Sequence, residues 1–249
     1  MTKISILASC LWISFTGFTQ EYSAFLNHAF QSPQDTLPYR LLLPETIEPG
    51  KTYPLIIFLH GSGERGNDNA LNLKYITDLF LSVENRKNYP AYVLVPQCPK
   101  NERWAPEDWY GKISPPAETV IDLIDSLVKS NSIDAGRVYL MGLSMGGFGT
   151  WYLLTRFPDK FAAAVPICGG GDWNRASAIV HIPVWVFHGK KDEVVLPEQS
   201  RAMVKVLKKS GGNPRYTEYK KVGHDSWVQA LQEPELLPWL FSHKIFVKP

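Results

Sequence analysis

The sequence predicts an α/β fold in which a mostly parallel central sheet is covered by helices on both faces. Short, almost continuously apolar runs bounded by Pro, Gly and Asp recur along the chain, which is typical of buried strands. Between them lie stretches with apolar residues at helical spacing and charged residues elsewhere. Strands that are apolar on both sides and alternate with amphipathic helices indicate a parallel sheet between two helical layers.

The predicted elements follow in order along the chain. Two extended runs around Pro44 and the turn at Pro49 and Gly50 indicate an antiparallel N-terminal start to the sheet. The buried strands predicted after them cover residues 55–60, 92–96, 138–143, 162–167 and 184–188. The clearest amphipathic helices are predicted over residues 117–130 and 197–210. At 249 residues, 45% of them hydrophobic, the chain suits one large domain better than two small ones.

The first twenty residues, MTKISILASCLWISFTGFTQ, place Lys3 ahead of an apolar stretch that is too short and too weakly flanked for a stable membrane anchor. We therefore predict a secretory signal peptide over residues 1–20 and a single folded domain over residues 21–249, in a protein that is secreted or periplasmic. The segment ending at Cys10 resembles a lipoprotein cleavage box. A lipoprotein box ends the apolar run near its cysteine, but here the run continues past Cys10 through Ile13. This favours an ordinary signal peptide.

Charge and cysteine content exclude several classes of function. The formal net charge of +2 comes from interspersed acidic and basic residues, so no basic stripe is available for nucleic acid. Outside the signal peptide only Cys98 and Cys168 remain, too few for a disulfide framework, and we expect both to be free thiols. No Cys/His spacing suggests a metal site, and no cofactor is expected.

The segment RVYLMGLSMGGFGTWYLL contains the G-x-S-x-G pattern around Ser144. A strand-like run ends at Leu143 and a helix-like run begins by Phe148, which is the strand, tight turn and helix that a nucleophile elbow requires. Gly142 and Gly146 allow the chain to turn sharply while the serine hydroxyl projects above the sheet. This context favours a catalytic serine over an incidental serine in a Gly-rich loop.

A serine hydroxyl is a poor nucleophile until a base takes its proton, and that base needs an acid to orient it. VWVFHGKKDEVV supplies Asp192 just after a strand, and YKKVGHDSW supplies His224 after another extended stretch. Loops at the carboxyl ends of parallel strands converge, so both side chains can reach the serine. Glu193 is the rival for the acid. The other histidines weighed as the base lack a catalytic motif, and one of them, at a strand end, is expected to pack or hydrogen-bond there; they are His181, His188 and His243.

The segment IIFLHGSGERGND, residues 56–68, fits two different patterns. Gly61, Gly63 and Gly66 after an apolar run spell the G-x-G-x-x-G of a dinucleotide-binding turn. That fingerprint also needs an acidic residue at the end of the next strand, which instead reads VLVPQCPK. We therefore interpret the loop as a source of backbone N–H groups for an oxyanion hole beside the serine.

Taken in order, the motifs resemble those of α/β-hydrolases, specifically the small bacterial esterases known as predicted peptidases or feruloyl-esterase-like proteins. The matching segments are YPLIIFLHGSGERG, VPQCP, GLSMGGFGTW, HGKKDEVV and GHDSW, which span most of the chain after residue 20. The resemblance implies a triad of Ser144, His224 and Asp192, with oxyanion donors at the backbone N–H groups of Ser62 and Met145. It implies a serine hydrolase that cleaves carboxylic esters through an acyl-enzyme, and the predicted signal peptide implies that this enzyme is secreted.

The expected site is open, because only residues 169–182 separate two predicted strands where many lipases carry a cap domain. An open site favours small-molecule esters with short acyl groups or esters displayed on a polysaccharide. Four tryptophans in loops on the active face are candidate substrate contacts: Trp104, Trp109, Trp173 and Trp227. A serine peptidase of the prolyl-oligopeptidase type and a catalytically idle binding module with the same fold are the alternatives, and the intact triad argues against the second.

Overall fold

The computed structural model of the protein describes residues 22–33 and 36–246, and the predicted signal peptide lies outside them. In this described part, eight strands form one sheet in the order β1-β2-β4-β3-β5-β6-β7-β8. The strands are β1 (Phe25–Gln31), β2 (Thr36–Leu42), β3 (Tyr53–Leu59), β4 (Tyr92–Pro96), β5 (Ile133–Leu143), β6 (Ala163–Ile167), β7 (Trp185–Gly189) and β8 (Arg215–Tyr219).

The sheet has an antiparallel start and a parallel remainder, which confirms the predicted architecture. β1 pairs with β2 and β2 pairs with β4, both antiparallel, whereas the other neighbouring strands all run parallel. The sequence did not predict β1. It also left the partner of β2 open, and β2 pairs with β4, because the partner of a strand is not encoded in its local pattern.

Helices cover both faces of the sheet. They are α1 (Thr77–Leu81), α2 (Val83–Asn88), α3 (Pro115–Ser130), α4 (Met145–Arg156), α5 (Glu198–Lys209), α6 (Trp227–Ala230) and α7 (Leu236–Phe241). The two helices predicted from amphipathic spacing, α3 and α5, are present to within two residues at each end. A short 3-10 helix, Trp173–Ile179, is the largest element between β6 and β7, so the predicted absence of a cap at this position is confirmed.

The core lies on both sides of the sheet, as the apolar strands require. Along β3, Leu55, Ile57 and Leu59 belong to one buried cluster, and Ile56 and Phe58 belong to the other. Helices α3, α4 and α5 contribute to the first cluster, whereas α1 and α7 contribute to the second. Successive side chains of a strand point to opposite faces, so a strand buried on both faces must be apolar throughout.

Two further expectations concern the cysteines and the membrane. Cys98 follows β4 and Cys168 follows β6, with β3 and β5 between those strands. Both are buried and free, as predicted, and burial raises the pKa of each thiol to about 12.

No helix in the described part of the chain combines the length and the apolar character that a membrane span requires.

Candidate active site

Ser144 occupies a strained turn between β5 and α4. Its backbone has φ 52° and ψ −116°, values that a residue with a side chain rarely adopts. A Cβ on Gly142 would lie 2.2 Å from the carbonyl oxygen of Gly146. A Cβ on Gly146 would lie 1.9 Å from the carbonyl oxygen of Leu59, at the end of β3. Only glycine at these two positions allows the close approach that forms the turn.

Three side chains from three different loops meet at the carboxyl edge of the sheet. Ser144 Oγ lies 2.9 Å from Nε2 of His224, and His224 Nδ1 lies 2.7 Å from Oδ2 of Asp192. The serine follows β5, the aspartate follows β7 and the histidine follows β8. Asp192 is 2% exposed to solvent, whereas the His224 side chain is 20% exposed. The carboxylate is therefore shielded from water, and the imidazole can still reach a bound molecule.

Asp192 begins a tight turn whose backbone N–H groups hold its carboxylate. Its Oδ1 accepts hydrogen bonds of 2.9 Å from the N–H groups of Val194 and Val195. Burial disfavours the charged form, but hydrogen bonds from His224 and from the two valines outweigh it and hold the pKa of Asp192 below its usual range. The carboxylate thus stays ionised beside the imidazole. Glu193, the rival for the acid, is exposed.

Ser62 and Met145 line the same cleft as Ser144. Met145 is the first residue of α4, and Ser62 is the first residue of a short 3-10 helix, Ser62–Glu64. N–H groups at the start of a helix have no acceptor within that helix, so both are available to an oxygen in the cleft. The positive end of the α4 dipole adds to the preference for negative charge at this point.

The loop that carries Ser62 is held by His60, a residue that the sequence analysis did not single out. His60 is fully buried, and its Nε2 accepts a 2.9 Å hydrogen bond from the N–H of Cys98. Burial lowers the pKa of His60 to about 4, so the ring is neutral and Nδ1–H donates to the Gly61 carbonyl oxygen at 2.6 Å. The Gly61 carbonyl and the Ser62 N–H belong to one planar peptide and point in opposite directions. This bond therefore fixes the direction of the Ser62 N–H.

A cleft of about 470 Å³ opens beside Ser144, and Trp109 and Phe148 line it. Trp173 is 51% exposed and lies in an adjoining depression, which Trp109 and Phe148 also line. The structure therefore places two of the four predicted tryptophans, Trp109 and Trp173, on surfaces beside the serine. Trp173 offers an exposed aromatic ring to a bound molecule, and Trp109 offers the part of its ring that is not packed against the core.

The other two tryptophans lie elsewhere. Trp104 has no exposed surface, and its Nε1 donates to the carbonyl oxygen of His60 at 3.0 Å. The prediction that Trp104 contacts substrate is wrong, because the ring is part of the core beneath the loop. Trp227 packs edge-on against the His224 ring, with 5.4 Å between the ring centroids, and lines a cavity that does not include Ser144. Trp227 therefore contacts the His224 imidazole and does not line the cleft beside Ser144.

Among the described residues, one group of three side chains has metal-ligating chemistry, and it includes the two residues beside the serine. The ligand atoms of Cys168, Asp192 and His224 lie within 4.8 Å of one another. The aspartate and the histidine are already hydrogen-bonded to each other. Burial keeps the pKa of the Cys168 thiol at about 12, and the protonated thiol is a poor ligand. The chemistry of this group favours a hydrogen-bonded pair over a metal site.

The sequence profile of the phospholipase/carboxylesterase family matches residues 102–235, which is more than half of the chain. The chain belongs to this family. The match includes Ser144, Asp192 and His224 and stops short of the loop at Ser62 on its N-terminal side. The resemblance to α/β-hydrolase esterases that the motifs indicated is thus confirmed.

Relatives of this family member include one solved structure of high similarity. A thermostable esterase is 39% identical and superposes with a TM-score of 0.86, over 91% of this chain and 64% of that protein. A bifunctional acetylxylan esterase/xylanase of Neocallimastix patriciarum is 27% identical over 166 residues, 65% of this chain and 22% of that protein. An uncharacterized secreted protein of Arthroderma benhamiae is 23% identical over 253 residues, 84% of this chain and 26% of that protein. The chain spans less than two thirds of the esterase and about a quarter of the two curated relatives.

Proposed function

We propose that the protein is a serine carboxylic ester hydrolase with Ser144 as nucleophile, His224 as general base and Asp192 as the acid that orients the base. The observation that carries this proposal is the continuous hydrogen-bonded chain from Ser144 Oγ through His224 to Asp192, with distances of 2.9 and 2.7 Å. Membership of the phospholipase/carboxylesterase family and the similarity to a thermostable esterase support ester hydrolysis as the reaction.

The proposed reaction is acyl transfer in two steps. His224 Nε2 takes the proton of Ser144 as the oxygen attacks the ester carbonyl, and Asp192 stabilises the resulting imidazolium. The oxyanion accepts hydrogen bonds from the backbone N–H groups of Ser62 and Met145. His224 then gives its proton to the departing alkoxide, which leaves an acyl-serine. Water, deprotonated by the same imidazole, attacks this ester, and the acid is released as the proton returns to the serine.

We infer that the substrates are esters with short acyl groups or esters attached to a carbohydrate. The cleft lacks a cap domain between β6 and β7, and the partly buried ring of Trp109 and the exposed ring of Trp173 can stack on a sugar or an aromatic acid. The partial similarity to an acetylxylan esterase/xylanase supports a polysaccharide-linked ester. The predicted signal peptide and the secreted relative support export of the protein. Such polysaccharides are found outside the cell.

A panel of substrates tests this proposal. Purified protein and Ser144→Ala are assayed on nitrophenyl esters of graded chain length, acetylated xylan, methyl ferulate and a peptide nitroanilide. We expect ready cleavage of short esters, lower rates beyond medium chain length and little turnover of the amide. An amide leaving group must be protonated as it departs, and a peptide must be held along a groove. Ser144→Ala should lower kcat on the short esters by on the order of a million-fold.

A surface serine in α3, Ser126, provides the matched control, and Ser126→Ala should behave as the wild type. Efficient peptide cleavage that Ser144→Ala abolishes would restore the peptidase alternative. A Ser144→Ala variant that keeps a tenth of the wild-type kcat would eliminate Ser144 as the nucleophile.

A further inference from the structure

We propose that His188 is a positioning residue that holds the turn of the acid Asp192 in place and connects it to the segment beside the nucleophile elbow. This inference rests on the proposed function, because it assigns a role to a residue that supports the triad. His188 lies at the end of β7 and has no exposed surface. A buried imidazole must find partners for its polar atoms, and here those partners belong to the site.

The Nε2 atom of His188 faces the acid turn. It lies 2.8 Å from the carbonyl oxygen of Val195 and 3.2 Å from Oδ2 of Asp192. Both are acceptors, so the proton of the neutral ring belongs on Nε2. The turn from Asp192 to Val195 is therefore held from two sides. Its N–H groups at Val194 and Val195 bind the carboxylate, and its last carbonyl binds the His188 N–H.

The same Oδ2 atom of Asp192 also accepts from His224 Nδ1, at 2.7 Å. Two imidazoles thus contact one carboxylate oxygen, one of them on the catalytic side and the other on the buried side. Burial lowers the pKa of His188, while hydrogen bonding to Val195 and the charge of Asp192 oppose that shift. The neutral form has its donor directed at the turn, so His188 supports the carboxylate without competing for the proton that His224 transfers.

The Nδ1 atom of His188 extends the connection to a second loop. It lies 2.8 Å from Oγ of Ser200, in the first turn of α5, and Ser200 Oγ lies 2.9 Å from the carbonyl oxygen of Gly169. Gly169 packs directly on the elbow helix, since a Cβ on it would lie 2.5 Å from the carbonyl carbon of Gly147. Because Nδ1 of the neutral ring is an acceptor, the single hydroxyl proton of Ser200 serves either Nδ1 or the Gly169 carbonyl oxygen, and Ser200 lies in contact with both His188 and the loop that packs on α4.

This arrangement has a kinetic consequence. If His188 holds Asp192, its loss misplaces the carboxylate and hence the His224 imidazole, and a displacement of about 1 Å can cost on the order of a hundredfold in rate. The cleft beside Ser144 is lined by other residues, so substrate binding should be unaffected. The expected signature is a fall in kcat and in kcat/KM together, with KM unchanged.

The test compares His188→Met, which fills similar space without a donor, with His188→Gln, which retains an N–H donor and an acceptor. With a short nitrophenyl ester, we expect His188→Met to lower kcat by about 10- to 100-fold with KM within about twofold of the wild type. His188→Gln should recover kcat to within about fivefold of the wild type. The exposed His181 provides the control, and His181→Met should leave both constants unchanged.

Burst titration of the active sites separates lost geometry from lost protein, since rates are then expressed per competent site. If His188→Met does not fold, Ser200→Ala tests the same connection and should lower kcat about 3- to 10-fold at constant KM. The proposal is overturned if His188→Met keeps a third of the wild-type kcat, or if Gln and Met reduce it equally. If Ser200→Ala is used in place of His188→Met, an unchanged kcat overturns the proposal. The proposed function is tested separately, and esterase activity in the Ser144→Ala variant would contradict it.

Discussion

Asp192 and Glu193 are adjacent carboxylic acids in very different surroundings. Asp192 is buried, accepts two N–H groups of its own turn and contacts His224, whereas Glu193 is exposed. In the proposed mechanism only the first can stabilise the imidazolium, because a charge interaction is strong only where water is excluded. The roles of the two acids are therefore assigned by burial and hydrogen bonding, which motif spacing alone cannot resolve.

Substitution of each acid by its amide tests this assignment. Asp192→Asn should lower kcat on a short ester by about ten-thousand-fold, because the imidazole loses the partner that fixes its tautomer and orientation. Glu193→Gln should remain within about twofold of the wild type, since an exposed carboxylate is screened by solvent. Steady-state kinetics on both variants decides the matter, and a larger loss in Glu193→Gln would transfer the role of the acid to that residue.

The same comparison shows what the sequence can predict at the scale of single residues. Ser144 and His224 could be proposed because each lies in a motif that fits its place at a strand end. Trp104 could not be separated from the other tryptophans, since a loop position does not reveal whether a ring turns inward. His60 was missed as part of the site because one of its partners is a backbone atom far away in sequence, the N–H of Cys98. His188 was weighed only as the base, because a position at a strand end does not reveal that the ring contacts Asp192.

At the scale of secondary-structure elements, the site depends on the contact between β5, α4 and β3. The elbow places Gly146 against the last residue of β3, where a Cβ would meet the Leu59 carbonyl oxygen at 1.9 Å. This contact is between backbones, so no side-chain rotation can relieve it. Strands β3 to β7 were predictable because each contains a continuous apolar run, whereas β1 and β8 are more polar and more exposed. The pairing of β2 with β4 was not predictable, because it depends on chain segments that lie far apart in sequence.

Gly146→Ala should therefore lower the free energy of unfolding by at least about 3 kcal/mol, since the added methyl group forces apart two backbone segments of the core. Gly63→Ala is the matched control in a neighbouring loop, where a Cβ would meet nothing within 4 Å. It should change the free energy of unfolding by less than about 1 kcal/mol. Urea denaturation followed by circular dichroism measures both. Equal stability of the two variants would show that β3 and α4 are not in contact at this glycine.

At the scale of the whole molecule, the sheet collects the three loops that carry the proposed triad at one edge. The layers on both faces are apolar and hold β5, β7 and β8 in fixed register, so residues 144, 192 and 224 meet although they are far apart in sequence. The absence of a cap between β6 and β7 leaves this edge accessible. A rigid scaffold with an accessible edge suits an ester displayed on a larger molecule, as proposed here.

The central claim is that Ser144 forms a covalent acyl intermediate, and stoichiometric labelling with a fluorophosphonate tests it most directly. The reagent phosphonylates a serine only when a neighbouring base activates the hydroxyl. The proposed mechanism predicts one adduct per chain, mapped by mass spectrometry to the peptide containing Ser144, with esterase activity lost in proportion. His224→Ala should prevent the labelling. An adduct on another residue, or full labelling of Ser144 in an enzyme that still cleaves esters, would contradict it.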